Sequence, residues 1–180
     1  MIPFEVVKKA LSGRCFASRE AMPTVPITEE TLVGAEKRGD SLVYVPRISL
    51  NEIAAQHKRD FTDDMRALRD VGFMRIRPEP GWWVVGVGPF LSENVSPTPR
   101  RAPASVFVFA CLKHREFLGR HLFVGVATTD CKYHPGGPFL HGDPFRTVAV
   151  WMSSNGIGVT ANFENTLPKE AFTAYAHRAK

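Results

Sequence analysis

Apolar positions recur along this chain at two spacings, and the change from one to the other divides it. Near the start the spacing is helical. Phe4, Val7, Ala10 and Leu11 share a face that Lys8 and Lys9 avoid, so Met1–Ser12 predicts a short amphipathic helix. Residues 13–26, with Pro23 and Pro26, read as a loop. Thr28–Arg38 predicts a helix capped by Thr28 and ended by Gly39, and Leu42–Pro46 a short strand. Ser49 then precedes Leu50 with Glu52 three residues on. In that capping-box pattern the hydroxyl and the carboxylate each satisfy a backbone N–H that the helix leaves free. Leu50, Ile53, Ala54 and His57 continue the helix, which fades near Lys58–Asp60. Thr62 caps a second helix with Asp63 and Asp64 in its first turn, where the helix dipole favours negative charge. Phe61, Met65 and Leu68 form its buried stripe, and Gly72 ends it. Phe73–Arg77 predicts a strand, Pro78–Gly81 a turn, and Trp82–Gly88 the returning strand of a hairpin.

Ser92–Ala104, with Pro97, Pro99 and Pro103, is the strongest linker candidate. Beyond it the apolar runs become β-branched and aromatic. Ser105–Lys113 and His121–Thr129 predict two strands. Thr147–Ser153 and Ile157–Phe163 predict two more, joined by a hairpin at Asn155-Gly156. Pro168 suits the first turn of a final helix over Lys169–Ala179.

The order helix, strand, helix, helix, strand, strand over residues 28–88, with "LNEIAAQH", "MRALRDVGFMRI" and a tryptophan-bearing hairpin, resembles the winged helix-turn-helix superfamily. The resemblance implies that Thr62–Val71 is a recognition helix for the DNA major groove and Arg75–Trp82 a wing along the backbone. Lys58, Arg59, Arg66, Arg69, Arg75 and Arg77 are then the nucleic-acid-binding candidates. Arg100 and Arg101 join them as an arm from the linker. Charge tempers this. Residues 47–88 hold seven Lys/Arg against six acids, a thin excess for neutralising phosphates. The carboxylates of Asp63 and Asp64 would repel phosphate, and they suit a protein-docking surface better than a DNA-binding one. The formal net charge of +5 comes from the C-terminal half, where ten Lys/Arg face five acids from Pro97 onward.

Candidate chemistry gathers in residues 130–144 (DCKYHPGGPFLHGDP). Cys131, His134, His141 and Asp143 are residue types that ligate zinc or pair as nucleophile and base. Cys131-x-x-His134 has metal-like spacing, but His141-x-Asp143 is no standard second pair. A small hydrolase-like enzyme using this loop is the alternative to a non-enzymatic reading that calls for no metal, no cofactor and no catalytic residue. The Gly-Gly at 136–137 lacks the lysine and helix of a phosphate loop.

Composition adds bounds. At 180 residues and 44% hydrophobic content the chain can bury a substantial core. The first residues are broken by Glu5, Lys8 and Lys9, unlike a secretory signal, and no 18-residue apolar run indicates a membrane span. Three widely spaced cysteines suit free thiols in a reducing, cytoplasmic setting.

These readings predict an α+β protein. A winged-helix-like N-terminal unit (1–91) is followed by a Pro-rich linker (92–104) and by an antiparallel sheet with a C-terminal helix (105–180). The function predicted is non-enzymatic binding, with double-stranded DNA as the partner and a regulatory or replication-type role. The alternative is a protein partner or a second copy of the chain, in assembly of a larger particle.

Overall fold

Two neighbouring residues on each central strand face opposite layers, and this alternation organises the molecule. In the computed structural model Leu42 and Val84 are buried on one side of a sheet, and Val43 and Val85 on the other. The structure describes residues 1–17, 23–62, 72–89, 102–114, 124–126, 146–153, 155–163 and 172–179. Within them the helices are α1 (Phe4–Ala10), α2 (Glu29–Arg38), α3 (Leu50–Gln56) and α4 (Ala104–Lys113). The strands are β1 (Ile2–Pro3), β2 (Cys15–Phe16), β3 (Thr24–Val25), β4 (Ser41–Val45), β5 (Gly81–Pro89), β6 (Val124–Val126), β7 (Arg146–Ser153), β8 (Gly156–Phe163) and β9 (Phe172–Arg178). The chain is α+β. Seven strands form one sheet in the order β2-β4-β5-β9-β6-β7-β8, antiparallel except for β2 with β4 and β6 with β9. The pair β1–β3 stands apart.

Local signals form as the sequence dictates. The Thr28 hydroxyl accepts the Thr31 N–H, and Gly39 ends α2 in the left-handed conformation (φ 75°). Ser49 and Glu52 close their capping box at α3. Gly156, at φ 119°, turns β7 into β8. A side chain at Gly156 would also strike the Asp60 carbonyl at 2.8 Å, because the 3-10 turn Lys58–Asp60 after α3 docks on this hairpin. Phe61 bridges to Ile157, and the Thr62 N–H donates to the Ile157 carbonyl (2.9 Å).

Three predicted elements differ. Residues 73–77 do not form a strand; Gly72–Arg75 is a 3-10 turn. The physical reason lies in β5. Both its edges are filled, by β4 and by β9, so no edge is left for a hairpin partner, and the predicted wing is absent. Residues 105–113 are helical, not extended. An apolar run of this length is ambiguous in period. Here Pro103 leads into α4, and every residue from Ala104 to Cys111 is buried. Within the helix predicted over 169–179, Phe172–Arg178 is a strand: β9 fills the slot between β5 and β6. Its Ala174 and Ala176 face the core with period two, and that pairing outweighs the helical preference of alanine.

α3 and α4 cover one face of the sheet, meeting Val45, Val85, Val148, Val150, Val159 and Ala174 in the larger core. α1 and α2 cover the β2–β4–β5 part of the other face around Leu42, Trp82 and Val84. Strands from both sides of 92–104 share one sheet. The Ala102 N–H, within that segment, donates to the Ala174 carbonyl (2.9 Å). The predicted division at 92–104 therefore does not separate two sheets.

A candidate anion cleft

The turn that leads into β5 is rigid by composition, with Pro78 and Pro80 on either side of Glu79. It meets the end of β9 and Arg47 in the segment between β4 and α3. Between them lies a cleft of about 380 Å³ lined by Arg47, Arg77, Pro78, Glu79, Pro80 and Arg178. Register brings Arg178 here, since it pairs with Trp83 across β5–β9. The Arg178 guanidinium donates to Glu79 Oε2 (2.5 Å) and to the Pro80 carbonyl (3.1 Å). Trp83 Nε1 donates to the Glu79 carbonyl (3.4 Å), which places the indole beside the cleft.

Arg77 is held from below. Its Nε donates to Glu52 Oε2 (2.9 Å) and its Nη2 to Glu52 Oε1 (2.5 Å), a forked pair. Glu52 Oε2 also accepts from the Ser49 N–H (2.8 Å) and hydroxyl (2.7 Å). The capping box of α3 thus orients a cleft arginine. These donors, Arg77 first and Ser49 after it, hold the Glu52 carboxyl down at about 2 against its ordinary 4.5. A lowered carboxyl stabilises the fold above its unfolded value, and that stability is lost as pH falls from 4.5 through about 2. By carbon-13 NMR the Glu52 side chain is expected to titrate near 2. In Arg77→Ala its midpoint moves up toward 4.5. An unchanged midpoint would refute the pairing.

Arg77 and Arg178 are each matched by a glutamate. Arg47 is exposed and makes no hydrogen bond or ion pair among the described residues. Three guanidiniums against Glu52 and Glu79 leave one positive charge uncompensated, and it is carried by Arg47. Chemically the cleft can offer one unmatched guanidinium to an anionic group.

No known protein-family model, curated protein or solved structure matches the chain.

Of the sequence candidates among the described residues, only Arg77 lines the cleft. Lys58 and Arg59 lie on the 3-10 turn after α3, and Arg75 on the one before β5. Arg66, Arg69, Arg100, Arg101, Cys131, His134, His141 and Asp143 lie outside the described residues, as does the predicted recognition helix beyond Thr62. Arg47 and Arg178 were not among the candidates. Arg47 carries a local signal, standing two residues before the Ser49 cap. Arg178 has none, because its place depends on β9 being a strand.

Two other polar features read as structural. Asp40 is fully buried, and both its oxygens are taken: Oδ1 accepts from the Tyr175 hydroxyl (2.6 Å) and Oδ2 from Arg38 Nε (2.8 Å). Burial, followed by this hydrogen bond, pushes the Tyr175 phenol up to about 12. Cys15 and Cys111 are free and buried. Burial raises the Cys15 thiol to about 12 and raises Cys111 as well, so neither supplies a thiolate at neutral pH. Among the described residues no group of three or more His, Cys, Asp or Glu could hold a metal. No helix there is long and apolar enough to cross a membrane.

Proposed function

We propose that this chain is a non-enzymatic nucleic-acid-binding protein and that the arginine cleft is its contact with phosphate. The supporting observation is Arg47, an exposed guanidinium without a partner among the described residues, beside two arginines already oriented by glutamates. Arginine presents planar donors that match phosphate oxygens, and orientation before binding lowers the entropy lost on contact. The formal net charge of +5 adds a long-range attraction for polyanions. The contact proposed is the cleft, since the hairpin that a wing requires is replaced by a central strand.

Retention of random-sequence DNA, offered as duplex and as single strand, tests this at low and then moderate salt. Binding is expected to weaken as salt rises, and to be lost in the Arg47→Glu, Arg178→Glu double variant. Retention unchanged in that variant would overturn the proposal.

Assembly is the second reading, favoured by β8. Among the described residues this strand ends the seven-stranded sheet, and beyond Ile157, which Phe61 and Thr62 already pair, such an edge offers its backbone to another chain. Light scattering that shows a strict monomer at high concentration would count against it.

A further inference from the structure

The shape, charge and flank of the cleft go beyond a general affinity for phosphate. We infer that the cleft takes an unpaired nucleotide of a single strand, its phosphate on Arg47 and its base against Trp83, and that it discriminates against a duplex. This rests on the nucleic-acid reading above.

Shape is the first ground. A concave site of about 380 Å³ has the size of a small-molecule pocket. A flexible strand can insert one nucleotide into it. A duplex keeps its bases stacked and paired, so laying a base against Trp83 would require unpairing.

Charge is the second ground. Duplex affinity comes from neutralising many phosphates, but here two of three guanidiniums are already matched and only Arg47 is free among the described residues. The Glu79 side chain, 78% exposed at the cleft, repels a second phosphate placed beside the first. The site is thus built for one phosphate at a time.

The third ground is Trp83. It is partly exposed, hydrogen-bonded to the Glu79 carbonyl, and opposite Arg178 in register, so the two side chains leave the sheet on the same face. An indole flanking a cleft that holds an unmatched guanidinium brings together the two elements by which single-strand sites stack a base and hold a phosphate. Lys58 and Arg59, on the 3-10 turn after α3, are not among the residues that line the cleft.

The test measures fluorescence anisotropy of a labelled random 12-mer, single-stranded and as its duplex, titrated with the full chain. The single strand is expected to bind at least about tenfold tighter, with a log–log salt slope of about −0.7, the value for one phosphate on a single strand. Arg47→Glu weakens single-strand binding about tenfold or more, whereas Lys58→Glu changes it by less than about twofold. Binding quenches tryptophan emission, and Trp83→Phe, which keeps an aromatic ring at a partly buried position, removes the quench. Duplex binding equal to or tighter than single-strand binding would overturn this inference and leave the nucleic-acid reading in place. So would a loss in Lys58→Glu as large as in Arg47→Glu, or a quench that persists in Trp83→Phe. Binding of neither strand form would overturn both.

Discussion

Phe107→Ala is expected to destabilise the protein by about 3–5 kcal/mol, read as a lower midpoint in urea or guanidinium unfolding. Phe107 is the largest fully buried side chain among the described residues, and it lies in α4, a helix buried from Ala104 to Cys111. Removing the ring deletes its transfer free energy and leaves a cavity. The surroundings cannot fill that cavity, because α4 is fixed between α3 and strands β4, β5, β7 and β9. Against a typical total stability of about 5–15 kcal/mol the loss is large. The neighbours sharpen the test. Val106→Ala and Val108→Ala are each expected to cost about 2 kcal/mol, since a helix buried all round has no cheap face. Costs that alternate, with Phe107 expensive and both valines near zero, would instead match a half-exposed strand and contradict the helix.

That comparison shows where reading the sequence succeeds and where it stops. Thr28 with Gly39, Ser49 with Glu52, and Asn155 with Gly156 were legible because each signal is complete within a few residues. The hydroxyl, the carboxylate or the positive φ acts on its own neighbourhood, whatever the rest of the chain does. "SVFVFACLK" was not legible, because hydrophobicity on every position suits a buried strand and a buried helix equally. "FTAYAHR" was misread for a different reason. Its two alanines and the preceding Pro168 suit a helix, but Phe172, Thr173 and Tyr175 suit a strand, and the open edges of β5 and β6 make it β9. The absent wing follows from the same event: once β9 occupies the second edge of β5, residues 73–77 have nothing to pair with.

The cleft inherits this division. The order within it was half visible, because the Ser49–Glu52 capping box is a sequence motif and Arg77 was a candidate on charge alone. Their forked pairing was not visible, since it needs the turn before β5 to fold back over the start of α3. Arg178 was the least legible of all. Its approach to Glu79 depends on the β5–β9 register, which sets Arg178 opposite Trp83 and within reach of the Pro80 carbonyl. A contact site assembled by sheet register leaves no mark in any window of the sequence.

Gly86→Ala is expected to cost about 3 kcal/mol or more, and to do so through the Asp40–Tyr175 pair. A Cβ at Gly86 would fall well inside contact distance of Asp40 Oδ1 and of the Tyr175 ring end and hydroxyl. Gly86 and Tyr175 are register partners on β5 and β9, so neither strand can shift without breaking the centre of the sheet. Overpacking of this kind typically costs about 1–3 kcal/mol. Displacing the hydroxyl adds to that, because it strips a hydrogen bond from a fully buried carboxylate. Two readouts separate this cause from general disruption. A Gly86→Ala, Tyr175→Ala double variant should be less destabilised than the sum of the singles, since removing the ring makes room; strict additivity would refute the clash. Tyrosinate absorbance gives the second. Tyr175 is raised from 10 to about 12 in the folded state, so the stability it contributes is complete below pH 10 and lost as pH rises through 12. In folded Gly86→Ala that phenol is expected to titrate closer to 10, and the alkaline loss of stability between 10 and 12 to shrink with it. An unaltered titration at about 12 would mean that Asp40 and Tyr175 had kept their hydrogen bond, and that Gly86 is required for some reason other than the space they occupy.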